Sequence, residues 1–141
     1  MYKILILIFA IVFCSNIHAQ IIKHAPPVDG YKYVTIDDAD HNFGDIIYGK
    51  PVSYAVKMKN ISQDTLILTN IIVSCGCTTP QYKAGAYAPG SEIDLTIGFN
   101  GYDKGNFSKS MSVLFQNGKV GQIVKIVRFH GNGIVQNQAI N

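Results

Sequence analysis

Val52-Ser53-Tyr54-Ala55-Val56-Lys57-Met58-Lys59 places Val, Tyr, Val and Met at alternate positions, with Ser, Ala, Lys and Lys between them. Side chains of an extended chain point alternately to opposite faces, so this stretch has one apolar and one polar face. That is the mark of a half-buried β-strand. The alternation returns in Ile93, Leu95, Ile97 and Phe99 against Glu92, Asp94, Thr96 and Gly98, and again within Phe107 to Gln116, where Met111, Val113 and Phe115 share a side. Tyr31 to Ile36, Thr65 to Val73 and Gln122 to His130 are further runs rich in strand-forming residues. Phe43-Gly44-Asp45-Ile46 and Gly49-Lys50-Pro51 bracket a short extended piece.

Turn residues separate these runs. Asp37 to Asn42 reads as a polar loop, Asn60 to Asp64 as a turn, Lys83 to Gly90 as a loop closing in Pro89-Gly90, and Asn100 to Asn106 as a Gly-rich hairpin or loop. Asn117-Gly118 is the strongest short hairpin signal. Past residue 19 no segment shows an apolar period of 3.6 residues, so the fold expected is all-β, an Ig-like antiparallel β-sandwich of about seven strands. The domain is expected over residues 31–131, after a linker or N-terminal arm at 20–30 and before a polar tail at 132–141.

The chain begins as an export leader does. Lys3 supplies a basic start, Ile4 to Cys14 an apolar run, and Ser15 to Ala19 a polar stretch with cleavage expected after Ala19. The apolar run is much shorter than the ~20 residues of a membrane-spanning helix, so no such helix is expected in the mature chain. Lipid modification of Cys14 is the alternative, though Phe13 stands where such signals carry Gly or Ala. The formal net charge of +3 is too small and too evenly spread to imply nucleic acid or an anionic membrane.

Cys75 and Cys77 are the other two of the three cysteines, one residue apart in Ser74-Cys75-Gly76-Cys77-Thr78-Thr79-Pro80. In an extended strand their Cα atoms would stand roughly 6.5–7 Å apart, at the upper edge of disulfide reach. Gly76 is the residue best able to shorten that gap. Three chemistries fit the pair. A structural bend or local disulfide would close so short a loop that the chain-entropy gain is only about 1.5 kcal/mol. A redox pair would use a bond that reducing partners can open, without the two-residue spacing and helix N-terminus of thioredoxin-type sites. A metal site would need further ligands from His41, His130, Met58 or Met111.

Other signals are weaker. Asp38-Ala39-Asp40-His41-Asn42 begins like a calcium loop, but Phe43 stands where Gly is needed and Gly49 where Glu is needed. Asn60-Ile61-Ser62 and Asn106-Phe107-Ser108 match the glycosylation sequon by chance. His24 falls in the arm, His41 in a loop and His130 at a strand end. The neighbouring Asp37 and Asp38 point apart if extended. Hydrolase-elbow, phosphate-loop and zinc-protease patterns are missing from the sequence, so a non-enzyme without cofactor or catalytic residues is expected.

Phe43-Gly44 with Ile46, Gly49, a strand ending at Asn60, Ser74-Cys75-Gly76-Cys77-Thr78 with Pro80, Pro89-Gly90 before a strand ending at Phe99, and Gly105-Asn106-Phe107 with Lys109 form one ordered set of landmarks. In this the chain resembles the exported bacterial family called domain of unknown function 1573, itself similar to the Ig-like Hydin and major-sperm-protein group. Ser62 departs from it, standing where the family turns with Gly. The resemblance implies a β-sandwich and export, to the periplasm or beyond, and no established activity. The functional expectation is a non-enzymatic binding or assembly module with a protein partner in the cell envelope. A thiol-redox or metal-binding module using Cys75 and Cys77 is the alternative.

Overall fold

The computed structural model describes residues 26–136. The expected leader, its cleavage site, Cys14 and His24 lie outside the described residues. Ten strands run through them in chain order: β1 (Val28–Asp29), β2 (Val34–Ile36), β3 (Asp40–Ile47), β4 (Val52–Asn60), β5 (Leu66–Val73), β6 (Thr78–Tyr82), β7 (Gly85–Tyr87), β8 (Glu92–Phe99), β9 (Gly105–Asn117) and β10 (Gly121–Ile134). They form two sheets. The first has the order β1-β10-β9-β5-β7, with β3 also alongside β10; the second has the order β2-β4-β8-β6. The second sheet is antiparallel throughout, whereas β10 takes both β1 and β3 in parallel on its outer side.

The alternation in β4 and β8 is the core pattern. Tyr54, Val56 and Met58 and then Ile93, Leu95, Ile97 and Phe99 all face inward and are buried. In β9 Phe107, Met111, Val113 and Phe115 do the same, and in β10 Ile123, Val127 and Phe129. Two bulges interrupt the period elsewhere. In β5 the register slips between Leu68 and Asn70, so the buried positions change from Leu66 and Leu68 to Ile71. Along β3 and β10 it slips between His130 and Asn132, opposite Gly44 at φ +64°. That conformation suits glycine. The slip lets both Phe43 and Ile46 turn toward the core.

Several elements differ from expectation. Pro80 lies inside β6 instead of ending a strand; β6 is an edge strand, where proline is tolerated. The Lys83–Gly90 loop contains β7, and the polar loop at Asp37–Asn42 gives way to β3 from Asp40. The Gly-rich link before β9 is no hairpin, because β8 and β9 belong to different sheets. The β9–β10 hairpin turns through Gly118–Val120, with Asn117 Oδ1 accepting from the backbone of Lys119 and Val120 at 2.9 and 3.1 Å. Val28 and Asp29 of the expected arm pair with Ile123 and Val124. The last strand passes His130 and continues to Ile134, into the expected tail. There Gly133 is a contact point, not punctuation: a Cβ on it would overlap the Asp103 carbonyl oxygen.

The two sheets meet at Phe129. Its fully buried ring lies 5.6 Å from Phe43, 5.5 Å from Phe99, 6.4 Å from Tyr54 and 6.5 Å from Phe107, centroid to centroid. Such tilted and edge-on contacts are the favourable geometries for aromatic rings. Asn60, also fully buried, ties loops together. Its Nδ2 donates to the carbonyls of Asp64 and Tyr87, both at 2.9 Å, and its Oδ1 accepts from the Ser62 amide at 3.0 Å and hydroxyl at 2.7 Å. A side chain so occupied is no glycan acceptor. Phe129→Ala is expected to lower unfolding free energy by about 3–5 kcal/mol in urea denaturation, and Phe43→Ala by less, since Phe43 is only half-buried. Asn60→Ala is expected to cost about 2–4 kcal/mol by orphaning several backbone groups. Asn60→Asp should not rescue it, because a carboxylate cannot donate to the two carbonyls.

Candidate functional site

The cysteine turn joins β5 to β6 and so bridges the two sheets. It is not extended as the simplest reading of the sequence would have it. The chain bends at Ser74 and Cys75 and turns at Gly76 and Cys77, and the Thr78 amide donates to the Cys75 carbonyl at 3.3 Å. The bend draws the two Cα atoms to 5.2 Å, and the structure joins Cys75 and Cys77 as a disulfide. Both cysteines are half-buried. The turn is braced from each sheet. The Ser74 amide donates to the Ser110 carbonyl at 2.9 Å, and the Ser110 amide donates back to Ser74 Oγ at 3.1 Å. On the other side the Asn100 amide donates to the Cys77 carbonyl at 3.1 Å.

Thr78, the first residue of β6, is buried. Its hydroxyl lies 3.5 Å from Cys75 Sγ and 3.9 Å from Cys77 Sγ. Sequence reasoning placed Thr78 only as part of the motif; the signal that marks it is its position directly after the second cysteine, at the start of a strand. The ligands considered for a metal are not gathered here. Met58 and Met111 are buried in the core, and among the described residues no group of three or more His, Cys, Asp or Glu is placed to hold a metal ion.

The histidines are engaged elsewhere. His41 lies in β3 and is no free loop residue: its Nδ1 is 2.6 Å from Asp38 Oδ2, and its ring stacks on Tyr54 at 4.0 Å. His130 Nδ1 is 3.2 Å from Asp40 Oδ1. The carboxylates that begin like a calcium loop are thus divided between two separate histidines. Burial first, and then the negative charges of Asp38 and Asp40, push the Tyr54 phenol well above its ordinary range. Lys125 was not singled out from the sequence, although its place between Ile123 and Val127 marks it as inward-facing. It is buried, with its ammonium 3.6 Å over the Tyr31 ring. Burial lowers its pKa, against the opposing pull of Asp29.

Shallow clefts open on the described residues, among them three of moderate size. One of about 380 Å³ is lined by Pro51, Val52, Ser53, Thr79, Gly98 and Asn100 among others. One of about 300 Å³ lies beside Pro27, Tyr31 and Ile126, and one of about 130 Å³ beside Ile72, Ser74, Ser110 and Ser112. Neither histidine nor cysteine lines any of the three. The last cleft sits on the outer face of the first sheet, where Ile72, Ser112 and Ile126 stand in one row across β5, β9 and β10. No helix among the described residues is long and apolar enough to cross a membrane.

No curated protein sequence matches the chain. Solved structures share its fold. The ASH / PapD-like domain of human CEP192 is 13% identical with a TM-score of 0.60, the match covering 81% of this chain and 92% of that one. The VesB protease of Vibrio cholerae is 14% identical with a TM-score of 0.62 over 71% of this chain, which spans 32% of the protease. The periplasmic chaperone SfaE is 12% identical with a TM-score of 0.53 over 77% of this chain and 60% of its own. At such identities the likeness is one of fold, an Ig-like sandwich of PapD type. Residues 34–132 match the family described as protein of unknown function DUF1573, spanning the aromatic core, the cysteine turn and both bulges, and the chain belongs to that family.

Proposed function

We propose that this is an exported, non-catalytic binding module that takes an extended segment of a protein partner in the cell envelope along the free edge of β5. The observation that carries the reading is that edge. β7 covers β5 only at Leu66–Leu68, and from Thr69 to Val73 no described strand pairs with the same side. A sheet edge with unpaired backbone groups is a template for another extended chain; on this one the Ile71 amide already donates to Asn70 Oδ1 at 2.8 Å, and no described strand partner takes the rest. Edges that avoid pairing carry lysine or proline, as β6 does with Pro80. Thr69-Asn70-Ile71-Ile72-Val73 has neither.

Ile72 supplies the apolar part of the contact. It is 54% exposed beside the edge, with Ile126 further along its row at 37%. Export is supported by the basic start and apolar run of the leader and by Ala19 at the expected cleavage point. The non-catalytic reading is supported by three clefts among the described residues that are shallow and carry neither histidine nor cysteine.

Ile72→Arg puts a charge beside the edge without touching the core. Immobilised wild-type protein is expected to retain a protein from envelope extract, and Ile72→Arg to lose at least nine-tenths of it while melting within a few degrees of wild type. Equal retention by both would remove this edge from the binding site.

A further inference from the structure

The disulfide at the cysteine turn holds nothing that other bonds do not already hold, and we propose that Cys75 and Cys77 form a thiol–disulfide exchange site in which Thr78 stabilises the outgoing thiolate. The inference goes beyond the binding reading and does not depend on the β5 edge. A covalent link between residues two apart closes the smallest of loops, and the gain from cross-linking falls with loop size. The turn's shape is kept instead by hydrogen bonds without sulfur: Ser74 with Ser110, Asn100 with Cys77, and Thr78 with Cys75. Breaking the S–S bond therefore leaves the two sulfurs facing each other on one backbone, ready to join again. Both cysteines are half-buried, Cys77 with one side packed against the core.

Thr78 is the third observation. It is 5% exposed, and among the described residues the two cysteine sulfurs are the only hydrogen-bond partners of its hydroxyl. A buried hydroxyl normally finds a strong acceptor. A disulfide sulfur is a weak one, and a thiolate is strong, so this hydroxyl is suited to the reduced pair.

The co-reactant is a dithiol. Its thiolate attacks Cys77 Sγ, the S–S bond breaks, and the electron pair leaves on Cys75 Sγ, the sulfur nearer Thr78, which then takes a proton from water. The second thiol of the reagent, deprotonated, attacks its own sulfur in the mixed disulfide. Cys77 departs as thiolate and is protonated in turn. The dithiol loses two electrons and two protons and becomes a disulfide, while the protein pair gains both; a disulfide oxidant runs the sequence backward.

Dithiothreitol serves as the probe, with acid quench, alkylation and mass spectrometry to count free thiols. Wild-type protein is expected to be reduced in native buffer with unchanged circular dichroism, at a rate independent of sub-denaturing urea, and to reoxidise with oxidised glutathione. Thr78→Val is expected to slow reduction about five- to tenfold, a partial loss of one hydrogen bond to an ionised group. Thr78→Ser is expected to restore the wild-type rate. Reduction that rises with urea in step with unfolding would overturn the proposal, whether or not Thr78→Val folds. Equal rates in folded wild type and Thr78→Val would overturn the role of Thr78.

Discussion

Five aromatic rings, one from each of five strands, close the interior between the two sheets. Phe129 from β10 is at their centre, touching Phe43 and Phe107 of its own sheet and Tyr54 and Phe99 of the other. The arrangement constrains the backbone as much as the side chains. Phe43 reaches the cluster because the chain gains a residue at the Gly44 bulge. Phe107 fits because Gly131 has no side chain; a Cβ there would stand 2.8 Å from the Phe107 ring. Parallel pairing of β3 with β10, the bulge and the glycines are thus parts of one packing solution.

The cysteine turn is organised on a different principle. It lies where β5 of one sheet passes into β6 of the other, and backbone hydrogen bonds from both sheets hold it. The apolar core supplies most of the stability, and the turn's shape rests on these hydrogen bonds with Cys77 against the core's margin. His41 shows the opposite case, a polar residue drawn into the packing by its stack on Tyr54 and its bond to Asp38.

Much of this was legible in the residues before any fold was known. β4 and β8 alternate without interruption because they pair with each other in an unbroken antiparallel register with one face on the core, so period two and burial coincide. β5 was legible as a strand but not in its facing, since the bulge at Thr69–Asn70 reverses the inward parity midway. β6 and β7 were missed because Pro80 and Gly85 read as breakers, and only tertiary pairing makes them strand residues. The end of β10 was missed for the same reason: Gly131 and Gly133 look like punctuation until their neighbours are in place. The cysteine pair stood out by composition alone. Its closeness comes from the turn at Gly76, the residue expected to shorten the gap, whereas Thr78 gains meaning only from the position of its hydroxyl beside the sulfurs.

The same-direction pairing of β1 and β3 with β10 has a mechanical side. The described chain enters through β1 level with Ile123, near the beginning of β10, and departs beyond Ile134 at its far end. Tension applied at these two points drags β1 and then β3 lengthwise against β10, so the rungs from Asp40 to Ile47 bear the pull all at once. A hairpin tugged from its open end unzips rung by rung. Pulled from its two ends, this pair of edges resists tearing as a lap joint does, because its hydrogen bonds are loaded together in shear.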